Sequence, residues 1–317
     1  NKQHRCRAAL WKGILMKVKK VLALTDNDSQ VQELASAAVE LGEEVVLVYG
    51  GEKDAAVGAA RAYWLGDFKN STFINSVSDV VAIVAKEQPD LVLVCNSTNG
   101  RLAAGYISVA NDVAVMSDAS SVEVTDGGIV TTRMVYGGAA IKTDKSTSAM
   151  TVIVLASGAF PVVDLPKTEA VEDVSATGSA VSFVSKQPKT GKTINLGLAK
   201  RVVAVGRGVP NEELMNDINK IADALEAGVG CTRPIAEDNH WLPKETYIGV
   251  SGVMMKPDFY IGFGISGQIH HMVGINSART LIAVNKDKNA PIFQQCDYGM
   301  IADVTEVLPK LAEKLAK

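Results

Sequence analysis

Six consecutive residues, Gly262-Phe263-Gly264-Ile265-Ser266-Gly267, fit the GxGxxG spacing. They follow an apolar run, Phe259 to Phe263, and open a helix-like segment, with Asp287 lying 20 residues past the last glycine. Glycines at such a turn let backbone N–H groups and a helix N-terminus approach a pyrophosphate, while the acid can meet a ribose hydroxyl. The spacing suits NAD and FAD alike. Other polar groups sit at the ends of apolar runs. Gly206-Arg207-Gly208 follows Arg201 to Val205, Thr232-Arg233-Pro234 follows Val229-Gly230, and Gly249-Val250-Ser251-Gly252 places a hydroxyl after Tyr247 and Ile248. A guanidinium fork meets a phosphate or a ring carbonyl well. His270 and His271 fall in the first turn after the glycines. Neighbours on a helix point about 100° apart, so this pair is not an i, i+4 metal clamp.

Several chemistries lack their residues. There is no HExxH, CxxC or three-ligand cluster, so no catalytic metal is expected. No strand-to-helix GxSxG elbow occurs, since Gly264-Ile265-Ser266-Gly267 is one residue short. Gly191-Lys192-Thr193 lacks the upstream glycine of a P-loop, and Cys231 reads as a small buried thiol. What remains is a nucleotide held by polar contacts without acid–base machinery, which suits a redox cofactor that carries the chemistry itself.

The elements that must position these groups read as β then α, repeated. Val21 to Leu24 is a strand, and Val31, Leu34, Ala35, Ala38 and Leu41 recur at helical spacing before Glu44 to Tyr49, the next strand. A helix over 53–63, a strand from Ser71 to Ile74, a helix over 77–87, a strand from Asp90 to Cys95 and a helix from Asn99 to Ala110 follow. Ser121 to Tyr136 then alternates around Asp126-Gly127-Gly128, the pattern of an antiparallel hairpin, with a further turn at Gly137-Gly138. Beyond the linker the spacing predicts strands at Arg201 to Val205, Tyr247 to Val250, Phe259 to Phe263, Thr280 to Val284 and Pro291 to Gln294. It also predicts helices through Leu214 to Leu225, Gly267 to Val273 and Val304 to Ala316.

The expected fold class is α/β with two doubly wound domains. The N-terminal sheet is mostly parallel with an antiparallel portion, and the C-terminal sheet is open and parallel, with ligands at the carboxyl ends of its strands. The 317 residues suit about two domains, placed here at 16–190 and 191–317, with the boundary between Pro188 and Asn195 in a Ser-, Thr-, Gly- and Pro-rich stretch. Residues 1–15, with basic but no acidic side chains, read as a leader or a non-native extension. Thirty-two basic against 35 acidic residues give a net charge of −3, and only 5% are aromatic, which argues against nucleic acid as a partner. No apolar run is long enough to span a bilayer, so no membrane insertion is expected. The four scattered cysteines read as thiols of a reducing compartment.

The stretch from Val203 onward resembles the alpha subunit of electron transfer flavoproteins. The resemblance runs through Val205-Gly206-Arg207-Gly208, Thr232-Arg233-Pro234, Gly249-Val250-Ser251-Gly252, Ser266-Gly267-Gln268-Ile269-His270-His271, Ala283-Val284-Asn285-Lys286-Asp287 and Ala290-Pro291-Ile292-Phe293. Looser matches at Gly100-Arg101-Leu102 and Tyr136-Gly137-Gly138 extend it over the first half, and Trp241-Leu242-Pro243-Lys244-Glu245 looks like the bacterial Fix-type, carnitine-pathway branch. The resemblance implies FAD, bound in the C-terminal domain. Contacts would come from Arg207, Thr232, Ser251, Ser266, Gly267, Gln268, Ile269, His270 and His271. Ile248, Gly249 and Val250 would line the flavin beside Ser251, while Asn285, Asp303 and Val304 approach the adenosine end. Arg233 and His271 would lie against the ring and stabilise negative charge as it is reduced. Val250 departs from the glutamine of many members, so one hydrogen bond to the ring edge is not carried over. The resemblance also implies a cytoplasmic, bacterial heterodimer with a beta subunit. It would carry electrons from a flavin dehydrogenase of the acyl-CoA type to a quinone oxidoreductase or a ferredoxin-like acceptor. Two other readings stay open: an NAD-dependent dehydrogenase using 262–267 with His270 or His271 as proton donor, and a nucleotide-binding regulatory module.

Overall fold

The computed structural model describes residues 16–136, 140–186 and 196–315. The expected leader, the Gly137-Gly138 turn and the Pro188–Asn195 boundary lie outside them. The chain divides into two compact units, one built on residues 16–135 and 141–186, the other dominated by 196–315.

In the first unit β1 (Val18–Thr25), α1 (Val31–Leu41), β2 (Gly42–Tyr49), β3 (Arg61–Trp64), α2 (Val77–Glu87), β4 (Leu91–Cys95) and α3 (Thr98–Asn111) alternate. After them come β5 (Val115–Ala119), β6 (Ser121–Thr125), β7 (Gly128–Val135), β8 (Ala140–Ser146), β9 (Thr151–Leu155) and β10 (Val171–Asp173). Seven strands form one sheet in the order β10-β3-β2-β1-β4-β9-β5, every pairing parallel. Its inner strands are apolar without alternation because both faces are covered. Val21 and Ala23 pack with α1 residues Val31, Leu34 and Ala38, whereas Leu22 and Leu24 pack with Val80 and Val84 of α2 and Ile107 of α3. The antiparallel portion is the separate three-stranded sheet β6-β7-β8, and Gly128 at its turn takes φ +124°.

The second unit contains β11 (Arg201–Val205), α4 (Met215–Ala224), β12 (Gly228–Cys231), α5 (Arg233–Glu237), β13 (Phe259–Phe263), α6 (Ile269–Met272), β14 (Thr280–Asn285), β15 (Tyr298–Ile301) and α7 (Val304–Leu315). Its sheet runs β12-β11-β13-β14-β15, again parallel throughout. Val203 and Val205 face α4, α5 and α7. Val202, Ala204 and Tyr260 face the other way, toward Ile248 and the Met272 end of α6. The α/β class with parallel sheets and a small antiparallel one is therefore as the sequence implies.

Four local expectations differ. Residues 53–63 form a 3-10 turn at Lys53–Ala55 and then β3, not a helix. Gly58 takes φ +69° and breaks any helix there, and Ala62 and Tyr63 bury as strand residues instead. Ser71 to Ile74 is no strand; a 3-10 turn covers Phe73–Ser76. Pro291–Gln294 is likewise a 3-10 turn, because Pro291 starts a helical turn without needing its N–H, and the last strand is β15. Tyr247 to Val250 is not a full strand. Single bridges tie Tyr247 to Cys231 and Ile248 to Val253.

Candidate functional site

Because all five strands of the second sheet are parallel, their carboxyl ends meet at one edge. Chain direction reverses between β11, which leads outward to β12, and β13, which leads the other way. A sheet of this kind opens its ligand crevice at that switch point. The two loops that leave it are pressed together. Gly208 N–H donates to the Gly264 carbonyl at 2.9 Å, and Gly206 N–H to that of Phe263 at 2.8 Å. A Cβ on Gly264 would stand 2.7 Å from the Gly208 carbonyl carbon, and φ there is +64°. Gly267, at φ +83°, leaves room for Ile292, whose backbone nitrogen would be 2.4 Å from an added Cβ. The GxGxxG glycines thus serve loop-on-loop packing. The helix they open, α6, has only four residues, shorter than the expected Gly267–Val273, so little dipole stands behind it. Asp287 is exposed and accepts from Asn289 N–H inside its own turn.

Polar groups gather around the same edge. Thr232 ends β12 and begins α5, and its Oγ1 is buried without a hydrogen-bond partner. His271 on α6 is buried, and its Nδ1 also lacks a partner. Among the described residues only one other buried side-chain atom, Arg133 Nε, is in that condition. Orphaned polar atoms are costly, and two of the three found among the described residues lie at this one sheet edge. The His271 Nε2 lies 2.9 Å from the Tyr260 hydroxyl. Burial pulls the imidazole down to about 4, opposed only by the Ile248 backbone, so the ring is neutral at pH 7. Burial likewise pushes the Cys231 thiol up to about 11 against the Thr246 hydroxyl, which keeps it protonated and unreactive.

Arg207 and Arg233 are both exposed at this edge. Arg233 Nε donates to the Glu237 carboxylate at 2.6 Å, one helical turn along α5. The 248–252 turn packs on α6. Gly249, at φ +144°, would place a Cβ 2.6 Å from the His270 carbonyl, and Val250 N–H donates to that carbonyl at 2.9 Å. Ser251 Oγ lies 2.5 Å from the Tyr247 hydroxyl. Ser266, Gln268, Ile269 and His270 are exposed beside it.

Other expected contacts are engaged within the protein. Ile248 is fully buried in the core, and Val304 is buried at the start of α7. Asn285 Nδ2 donates to the Ile265 carbonyl at 2.9 Å, and its Oδ1 accepts from Asp287 N–H. Asp303 receives Thr305 N–H at 2.9 Å and its hydroxyl at 2.8 Å, bonds that hold the carboxyl below its ordinary range. Among the described residues no group of His, Cys, Asp and Glu could hold a metal ion. Sequence reading missed Tyr260 and Glu237. A tyrosine inside a buried strand must find a partner for its hydroxyl, and an acid four residues after an arginine on a helix faces it.

Residues 195–276 match the electron transfer flavoprotein FAD-binding domain, and residues 21–179 match the electron transfer flavoprotein domain. The chain belongs to the electron transfer flavoprotein family. It is 35% identical to Protein FixB of Escherichia coli O6:K15:H31 over 307 residues, covering 94% of this chain and 98% of that one. Protein FixB of Salmonella typhimurium strain LT2 is 35% identical over 311 residues, covering 95% and 99%. The alpha-type, Fix-like character read from the second half therefore stands, and with it a role in electron transport and FAD as the cofactor. The FAD-binding match covers β11 through α6 and so includes Thr232, Arg233 and His271. The residues fit the cofactor chemically. Two partnerless buried polar atoms are chemically suited to a ring rich in hydrogen-bonding groups, and two exposed guanidinium groups to a pyrophosphate or a negatively charged ring.

Proposed function

We propose that the chain is the FAD-binding alpha subunit of a heterodimeric electron carrier, completed by a beta subunit. It takes electrons from a flavin dehydrogenase of the acyl-CoA type and gives them to a quinone oxidoreductase or a ferredoxin-like acceptor, in the cytoplasm of a bacterium. Bound FAD supplies the electron transfer itself. The protein's part is to hold and tune it. Thr232 and His271 bind through their unpartnered atoms, Arg207 and Arg233 neutralise negative charge, and the Gly249–Ser251 turn borders the ring. Ser266 to His270 and the Asn285 and Asp303 ends complete the cradle, the latter two through backbone that their own side-chain bonds hold in place.

The observation that carries this reading is the pair of orphaned atoms, Thr232 Oγ1 and His271 Nδ1, inside the segment matched to the FAD-binding domain. An NAD-dependent dehydrogenase finds less support. Its fingerprint glycines are filled by protein, and of its two candidate proton donors His271 is buried and neutral. The test is to purify the chain with its partner subunit and record the visible spectrum. A yellow complex with one releasable FAD is expected, with weaker flavin retention by the chain alone. A colourless complex that binds NADH would sink the proposal.

A further inference from the structure

Tyr260 is the largest polar side chain buried in the second sheet, fully inaccessible on β13. Burial holds its hydroxyl as a phenol, well above its ordinary range. The bond it makes is to His271 Nε2 at 2.9 Å, with ring centroids 6.3 Å apart. That contact can run in either sense, and the two senses leave different debts. If Nε2–H donated, the phenol proton would need another acceptor and the Nδ1 lone pair would also stay unmet. If the phenol donates, only an Nδ1–H remains. The Ile248 backbone lies close enough to the ring to favour its protonated form, but it makes no hydrogen bond to Nδ1. The count of satisfied groups favours the second arrangement.

We infer that Tyr260 is a positioning residue: by donating to Nε2 it fixes His271 as a neutral ring with its proton on Nδ1, reserved for an acceptor atom of the bound flavin. This rests on the FAD reading given above. The site would then combine two unlike donors. His271 gives a neutral, oriented N–H from the buried side, and Arg233, paired with Glu237, gives a positive charge from the exposed side. A neutral donor costs far less to bury than a charged one, which is why a histidine held at about 4 can stand there at pH 7. Without the hydroxyl, neither nitrogen would have a preferred state, and Nε2 would compete for the proton.

The test labels the histidines with 15N in the full chain, with and without FAD. With four histidines in the sequence the ring signals can be assigned by substitution. The expected parent spectrum shows His271 with a protonated Nδ1 and a bare Nε2 across pH 6–8, and the Nδ1–H signal moves when FAD is added. In Tyr260→Phe the tautomer ratio should shift at least threefold toward Nε2–H, with FAD affinity falling about tenfold. A purely packing role would lower the melting temperature and leave the tautomer alone, which overturns the inference. So does a parent whose proton sits on Nε2. If Tyr260→Phe fails to fold, the parent decides: an Nδ1–H signal unmoved by FAD refutes the flavin-facing role. A chain with the expected tautomer that takes up no FAD at all refutes the cofactor reading instead, so the two failures are distinguishable.

Discussion

The two sheets each contain a switch point, and the two have opposite contents. In the first unit it lies between β1 and β4, and Asp26 fills it. Its carboxylate accepts from Ser97 Oγ at 2.8 Å, Asn99 Nδ2 at 2.9 Å and Cys95 Sγ at 3.4 Å. Ser97 also caps α3 by accepting from Gly100 N–H at 2.8 Å, and Glu33 close by accepts from Gly158 N–H. The cavity among Gln30, Glu33, Cys95 and Ser157 is only about 10 Å³, room for roughly one water. An acid occupies the position where an anionic ligand would sit. In the second unit two buried polar atoms go unmet, and the exposed Arg207 and Arg233 stand outside, Glu237 answering Arg233 from α5. Topology makes the crevice twice. Whether its polar groups satisfy one another or wait for a ligand decides which crevice is a site.

The most disruptive way to test the contrast is to force the second switch point apart. Gly264→Ala adds a Cβ within 2.7 Å of Gly208 at φ +64°, a clash with backbone that no side-chain rotation relieves. A loss of about 3 kcal/mol or more is expected, confined to the second unit. Chemical denaturation should then separate into two transitions, with FAD lost in the earlier one. A single unchanged transition with full FAD content would show that the loops yield and that the packing argument is wrong.

Acid sharpens the contrast, because the buried His271 and the half-buried Glu33 shift in opposite senses. Burial depresses the His271 pKa to about 4 in the folded chain against an ordinary 6.5. Between those values the unfolded chain binds the extra proton, so stability falls as pH drops from 6.5 toward 4 and levels off below. The full loss is about 3 kcal/mol. Glu33 is raised by burial, with the Gly158 N–H pulling the other way. Its contribution is present below the unfolded value and is lost as pH rises through the folded one. In the FAD-free chain, thermal melts from pH 7 to 4 should weaken the second unit, and His271→Gln should flatten that slope. An identical slope in the variant would remove His271 as the cause.

Much of this was legible in the sequence, and the misses have physical reasons. Unbroken apolar runs such as Leu91 to Cys95 could only be buried parallel strands, and the spacing of Val31, Leu34 and Ala38 could only be a helix face. The placement of Arg207, Thr232 and Arg233 followed from strand ends alone, whereas Ser251 follows only single bridges and no strand. β5 and β9 were not legible: β5 carries Ser117 and Asp118 and is not a buried apolar run, and β9 joins the sheet only after the chain has left it to form β6, β7 and β8. The glycine motif read correctly as a tight turn but not for its partner. Only the folded chain shows that Gly208 and Ile292 occupy the space side chains at Gly264 and Gly267 would take. Tyr260 was hidden for the same reason, since its partner His271 arrives from another element.

The smallest effect probes the exposed half of the site. Arg233 is held at 2.6 Å by Glu237, so part of its charge is already answered before any ligand binds. Negative charge arriving on a reduced ring must compete with that carboxylate. Arg233→Ala removes the positive partner and should lower the first one-electron potential of the bound flavin. A loss of about 1.4 kcal/mol corresponds to roughly 60 mV for one electron. Arg233→Lys keeps the charge without the planar fork and should fall in between. Glu237→Gln should move the potential the other way by a smaller amount, because it frees the guanidinium while leaving an acceptor for its Nε–H. Stepwise reductive titration of the parent and the three variants, each loaded with FAD, reads all of these shifts. If Arg233→Ala binds FAD normally and titrates like the parent, the arginine contributes nothing to the ring. The buried histidine and threonine would then be the whole of the tuning, and the contrast between the two switch points would rest on burial alone.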